Sequence, residues 1–105
     1  NPRVALYQAR YSALVVQKAA TAPNTKLMIA GKYCETGDVL IPEIMLPNVE
    51  RGDLLAVPVS GAYQLSMASN YNLAARPAVL WLEAGQPEVL QQREMPHTGG
   101  WWMGE

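Results

Sequence analysis

At 105 residues the chain is of single-domain size, long enough for a hydrophobic core but near the smaller end. Half of its residues are apolar, 16% are charged and the formal net charge is -1, so it carries no basic field to hold nucleic acid or an anionic membrane surface. A single cysteine excludes an internal disulfide and, with the single histidine His97, leaves too few soft ligands for a structural zinc site, a composition that suits a reducing, cytoplasmic setting.

The first residues, Asn1-Pro-Arg-Val-Ala-Leu-Tyr7, hold no initiator Met, as expected of a chain cut from, or made as part of, something longer. They also lack a signal-like basic and apolar pattern, and runs such as Ala13 to Val16 and Leu27 to Ala30 are far too short to cross a bilayer. From there, β-favouring segments recur at short intervals between Gly, Pro, Asn and Asp, the pattern of an all-β sandwich or barrel. Strands are expected at Ser12 to Lys18, Lys26 to Lys32, Asp38 to Met45, Asp53 to Pro58, Ala78 to Leu82 and Glu88 to Arg93. Turn chemistry breaks them at Ala22-Pro-Asn-Thr25, at Pro47-Asn48 with Arg51-Gly-Asp53, and at Glu83-Ala-Gly-Gln-Pro87. Between the fourth and fifth strands, Ser60 to Asn72 is rich in small residues and suits a short helix followed by a loop. The expected fold is mainly β, a Greek-key barrel or sandwich with one short helical insertion. Residues 1–94 form the β domain and 95–105 an irregular tail, whose Trp101 and Trp102 could pack against a neighbour.

Few side chains can carry chemistry. Cys34 is followed directly by Glu35, and a neighbouring carboxylate disfavours a thiolate, which suits a cysteine that donates a proton better than one that attacks. From composition alone plain packing is the commoner role for a free cysteine. The setting favours chemistry, because Gly37 and Asp38 turn the chain immediately after Glu35 and place the pair at a strand end. Arg3 and Tyr7 are four residues apart, and a guanidinium with a phenol can hold a carboxylate; the alternative is a solvated Arg beside a half-buried Tyr. Tyr63 follows Gly61 and Ala62 and could reach a phosphate or a carboxylate, although aromatics in so apolar a chain are more often core. His97, beside Pro96, reads as a surface residue. No Gly-rich phosphate loop occurs, and one histidine cannot build a Ser/His/Asp or paired-His centre.

Taken together, Arg3-Val-Ala-Leu-Tyr7, Gly31-Lys-Tyr-Cys-Glu-Thr-Gly-Asp-Val-Leu40, Gly52-Asp-Leu-Leu-Ala-Val57, Gly61-Ala-Tyr63 and Ser66-Met-Ala-Ser-Asn-Tyr-Asn72 with Arg76-Pro77 resemble the C-terminal part of the diaminopimelate decarboxylases. The resemblance runs from residue 1 to about 94. It implies a pyridoxal 5'-phosphate enzyme with an alanine-racemase-like fold, whose (β/α)8 barrel, bearing the cofactor lysine, lies outside this chain. It further implies meso-2,6-diaminopimelate as substrate, L-lysine and carbon dioxide as products, the last step of lysine biosynthesis as the role, and a homodimer with shared active sites. Carried over residue by residue, Cys34 is the acid that protonates the substrate carbon. Glu35 binds the distal amino group, Arg3 and Tyr7 hold substrate carboxylate, and Tyr63 touches both the cofactor phosphate and the substrate. Val4 stands where the family usually has Pro, and Thr36 where Ser is commoner; Gln8 and Gln64 flank two of the site tyrosines.

On this reading the isolated chain is inactive. The alternatives are a related ornithine or arginine decarboxylase domain, against which Glu35 speaks because the ornithine enzymes carry Asp after the cysteine, and a non-catalytic β domain used for binding or assembly. Apolar surface is expected to lie exposed around Gly61 to Asn72.

Overall fold

The computed structural model describes residues 3–95; His97, Trp101 and Trp102, for which roles were expected above, lie outside the described residues. The chain divides into two compact units, Asn1–Met67 and Ala68–Glu105.

The first unit opens with a short helix, α1 (Arg3–Tyr7), where the sequence pattern assigned nothing. Strand β1 (Leu14–Val15) runs straight into a 3₁₀ turn at Val16–Lys18, and pairs antiparallel with β4 (Leu55–Ala56). Between them lies the main hairpin of β2 (Thr25–Ala30) and β3 (Val39–Leu46), and after them the single-turn helix α2 (Gln64–Met67). Burial alternates along β2, with Thr25, Leu27 and Ile29 half-buried and Lys26, Met28 and Ala30 exposed, as one covered face of a sheet requires. The register slips twice along this pair, between Leu27 and Ile29 and again between Ile29 and Ala30. Pro42, which has no N–H to give to a ladder, falls within the first slip, where a bulge tolerates it. Val15, Ile41 and Leu46 form the buried apolar core.

A polar clamp fastens β1 to the approach of β4. Lys18 Nζ meets Asp53 Oδ2 at 2.7 Å and donates to Asn48 O at 2.8 Å. The same Asp53 oxygen accepts the Glu50 N–H at 2.9 Å, and Gln17 Oε1 accepts the Leu54 N–H at 2.9 Å. The hydrogen bond from Lys18, then the Glu50 N–H, hold the Asp53 carboxyl below its ordinary range, and the bond to Asp53 raises Lys18.

The second unit is built on the hairpin of β5 (Val79–Glu83) and β6 (Gln86–Gln91). Its turn residues Ala84 and Gly85 both have positive φ, 49° and 77°, the handedness that matches strand twist in two-residue hairpins. Apart from Val79 at its start, every residue of the two strands is exposed. Glu94 ties the preceding loop together: Oε2 accepts the Arg76 N–H at 2.8 Å and the Asn70 amide at 2.7 Å, while Oε1 meets Arg76 NH1 at 3.1 Å.

All six expected strands are present, and the mainly β class holds. The closed barrel does not: the described strands form three separate two-stranded ladders. Two of the strands are only two residues long, because β1 is cut short by the 3₁₀ turn and β4 by the turn that follows it, so neither has the length to bridge neighbouring ladders. Among the described residues no helix is long and apolar enough to cross a membrane.

Candidate functional site

Two loops carry the residues singled out by their chemistry. The first, Gly31 to Asp38, joins β2 to β3 and holds Cys34 and Glu35 at its tip, both exposed. Asp38 shapes this loop with three contacts. Its carbonyl accepts the Gly31 N–H at 2.8 Å, its N–H donates to Glu35 O at 3.3 Å, and its carboxylate accepts the Tyr33 N–H at 2.7 Å. Gly31 is required by the same arrangement, since a Cβ there would fall on the Asp38 carboxylate. The Lys32 ammonium lies over the Tyr33 ring, 5.7 Å from its centroid.

The second is an elbow from Val59 to Tyr63 leading into α2. Val59 and Tyr63 both sit at positive φ, 54° and 65°, a region that costs a β-branched or aromatic residue on the order of 1–3 kcal/mol and persists only where the surroundings hold it. Arg3 supplies that hold. Only 9% exposed, it donates from NH2 to Ser60 O at 2.6 Å and from NH1 to Ala62 O at 2.7 Å, with a longer contact of 3.4 Å to Gln64 Oε1. Its guanidinium also lies 5.3 Å from the Tyr11 ring centroid. The elbow is fixed further by Ser60 Oγ donating to Val57 O at 2.7 Å and by the Met67 N–H donating to Tyr63 O at 3.0 Å. Tyr63 itself is 72% exposed, so its ring is presented outward rather than packed.

The roots of both loops line one hollow of about 330 Å³, to which Gly31, Asp38, Leu40, Val57, Ser60 and Gln64 contribute. The structure thus brings Arg3 against the Tyr63 elbow, and that elbow and the Cys34 loop to the walls of a common hollow. The side chain of Tyr7, 68% exposed at the end of α1, makes no hydrogen bond to them among the described residues. Sequence reasoning passed over Asp38 as a mere turn residue. The available signal was its pairing with Gly31, the two residues that bracket the Cys34 loop.

Arg3 is positioned as a brace, while Tyr7, Cys34, Glu35 and Tyr63 offer a phenol, a thiol, a carboxylate and a second phenol to solvent on fixed backbone.

Residues 1–61 match the family model described as the C-terminal sheet domain of pyridoxal-dependent decarboxylases. The chain is 50% identical over 94 residues to the diaminopimelate decarboxylase of Bacillus subtilis, covering 90% of this chain and 21% of that protein. Against the enzyme of the same name from Actinosynnema pretiosum it is 48% identical over 96 residues, covering 90% of this chain and again 21% of the relative. A crystal structure of diaminopimelate decarboxylase superposes with a TM-score of 0.77 at 31% identity, covering 90% of this chain and 25% of that one. The chain therefore spans about a fifth of the length of the curated relatives it matches. With the family's sheet domain matched over more than half of its length, and relatives this close over nine-tenths of it, the chain belongs to the pyridoxal-dependent decarboxylases, as their C-terminal sheet domain.

Proposed function

We propose that residues 1–94 form one wall of a composite active site that converts meso-2,6-diaminopimelate to L-lysine and carbon dioxide, the rest of the site coming from a cofactor-bearing (β/α)8 barrel and from the second subunit of a cytoplasmic homodimer. In that assembly the strands described above would complete a Greek-key domain. The observation that supports the reading is the exposure of Cys34, Glu35 and Tyr63 on braced loops and of Tyr7 at the end of α1, in a chain that spans about a fifth of the length of its relatives.

In this reading Cys34 donates its Sγ proton to the substrate carbon that has lost carbon dioxide and is reprotonated by solvent. Glu35 pairs with the distal ammonium of the substrate, both residues reaching the partner subunit's site. Arg3 and Tyr7 hold a substrate carboxylate, the guanidinium acting from beside the elbow that it braces. Tyr63 fits the edge of a phosphate: an exposed phenol on a rigid elbow supplies one hydrogen bond, enough to orient the group and too little to hold it alone. The chemistry that pyridoxal phosphate supplies when bound is an electron sink for the pair left by the departing carbon dioxide.

The test is to join the chain to its barrel and follow carbon dioxide and lysine. Decarboxylation of meso-diaminopimelate is expected, with ornithine and arginine poor substrates. Cys34→Ala should lose most turnover while the cofactor's absorbance is retained. Full turnover in that variant removes Cys34 from the acid role, and a preference for ornithine or arginine overturns the substrate assignment.

A further inference from the structure

The Cys34 loop is held by one residue, Asp38, whose carboxylate acts on one side of the cysteine and whose backbone acts on the other. Asp38 accepts the N–H of Tyr33, one residue before Cys34, and donates its own N–H to the carbonyl of Glu35, one residue after it. A third bond, from the Gly31 N–H to Asp38 O, closes the base of the loop. Asp38 is half-buried and lines the hollow, so it is partly shielded from competing water. The space that it occupies is the space a side chain at position 31 would need.

We propose that Asp38 is a positioning residue for the reaction, acting through Cys34 and Glu35: its carboxylate sets the path of the backbone that aims the thiol, and Gly31 is kept side-chain-free to admit it. The proposal rests on the donor role of Cys34 stated above. It predicts that three substitutions behave as one perturbation in graded form. Asp38→Ala removes the acceptor, Gly31→Ala displaces it sterically, and Asp38→Asn keeps an acceptor oxygen of the same reach.

Two measurements separate this inference from the reading on which it rests. In the 105-residue chain, amide exchange at Tyr33 should accelerate about tenfold in Asp38→Ala and in Gly31→Ala, as expected for loss of one hydrogen bond to a charged group, and remain near wild type in Asp38→Asn. That readout involves no catalysis and stands if the substrate assignment fails. In the chain joined to its barrel, kcat should fall on the order of 10²-fold in the first two variants with KM for diaminopimelate little changed, the penalty of a displaced reacting group. The double variant Gly31→Ala/Asp38→Ala should be no worse than either single one, because both break the same contact. Turnover in heavy water adds a signature that general destabilisation would not produce: wild type places deuterium on one face of the protonated carbon, and the displaced loop scrambles it. Wild-type Tyr33 protection and turnover in Gly31→Ala overturn the proposal. So does an Asp38→Asn variant as impaired as Asp38→Ala, which would make charge rather than loop geometry the operative property. Should Asp38→Ala fail to fold, Gly31→Ala and Asp38→Asn decide the matter between them.

Discussion

Replacing Arg3 by Met removes the brace of the Tyr63 elbow while keeping most of the apolar stem. Two strong hydrogen bonds disappear, at 2.6 Å to Ser60 O and 2.7 Å to Ala62 O, and bonds from a charged donor contribute roughly 1.5–3 kcal/mol each. The 3.4 Å contact to Gln64 is too long to add much. The ring of Tyr11 beneath the guanidinium contributes about 0.5 kcal/mol. Releasing a buried guanidinium to water offsets part of this, so the lower end of the range applies, and a loss of about 3 kcal/mol is expected. For a domain of this size that corresponds to a fall in Tm of roughly 12–24 °C, read by calorimetry or circular dichroism without any ligand. Arg3→Lys keeps the charge but can serve only one carbonyl well, and should fall about halfway. A Tm for Arg3→Met within about 3 °C of wild type would refute the brace, since even a single bond of this kind should cost more than that.

In the second unit, the Arg76 N–H, then the Asn70 amide, then the Arg76 charge hold the Glu94 carboxyl below its ordinary value of 4.5. The stability that it contributes is therefore present above that value and lost as pH falls through the lower folded one, so an acid titration of the Asn70 side-chain amide by NMR should show the loop opening below about pH 4.5, and Glu94→Gln should remove that transition. Lys18 and Asp53 behave in complementary fashion: the contribution of Asp53 is lost only as pH falls below its ordinary 3.8, and that of Lys18 only as pH rises above 10.5. The clamp should thus be flat from about pH 5 to 9, and Asp53→Asn should lower Tm throughout that range; a step in Tm of the wild type near neutrality would count against it. Ala84 holds φ of 49° in the β5–β6 turn, where Asn sits more comfortably, so Ala84→Asn should stabilise by about 0.5–1 kcal/mol in urea unfolding, with no gain expected if the turn were of the opposite hand.

The strands were legible because Gly, Pro, Asn and Asp punctuate them and alternation marks β2; their pairing into three ladders was not, since register and bulges depend on partners distant in sequence. Helix α1 had a local signal in Asn1-Pro2, a favoured helix-start pair, but five residues give too little periodicity to stand against β-favouring neighbours. At the site, the Gly-Asp turn after Glu35 was legible, but Cys34 lies at the tip of the loop between β2 and β3 rather than at a strand end, because β2 stops at Ala30. The exposure of Tyr63 ran against the commoner packing role of an aromatic. The burial of Arg3 was invisible, because the two carbonyls that hold it lie 57 and 59 residues away. A backbone acceptor leaves no mark in the residue string.

The β5–β6 hairpin has a consequence for what holds the second unit in shape. An isolated two-stranded ribbon is marginal in water, and this one leaves Leu80, Trp81, Leu82, Val89 and Leu90 uncovered on both of its faces. Its strands therefore depend on other protein surface for their cover, and the stability of this ribbon is set by what docks on it more than by its own ladder.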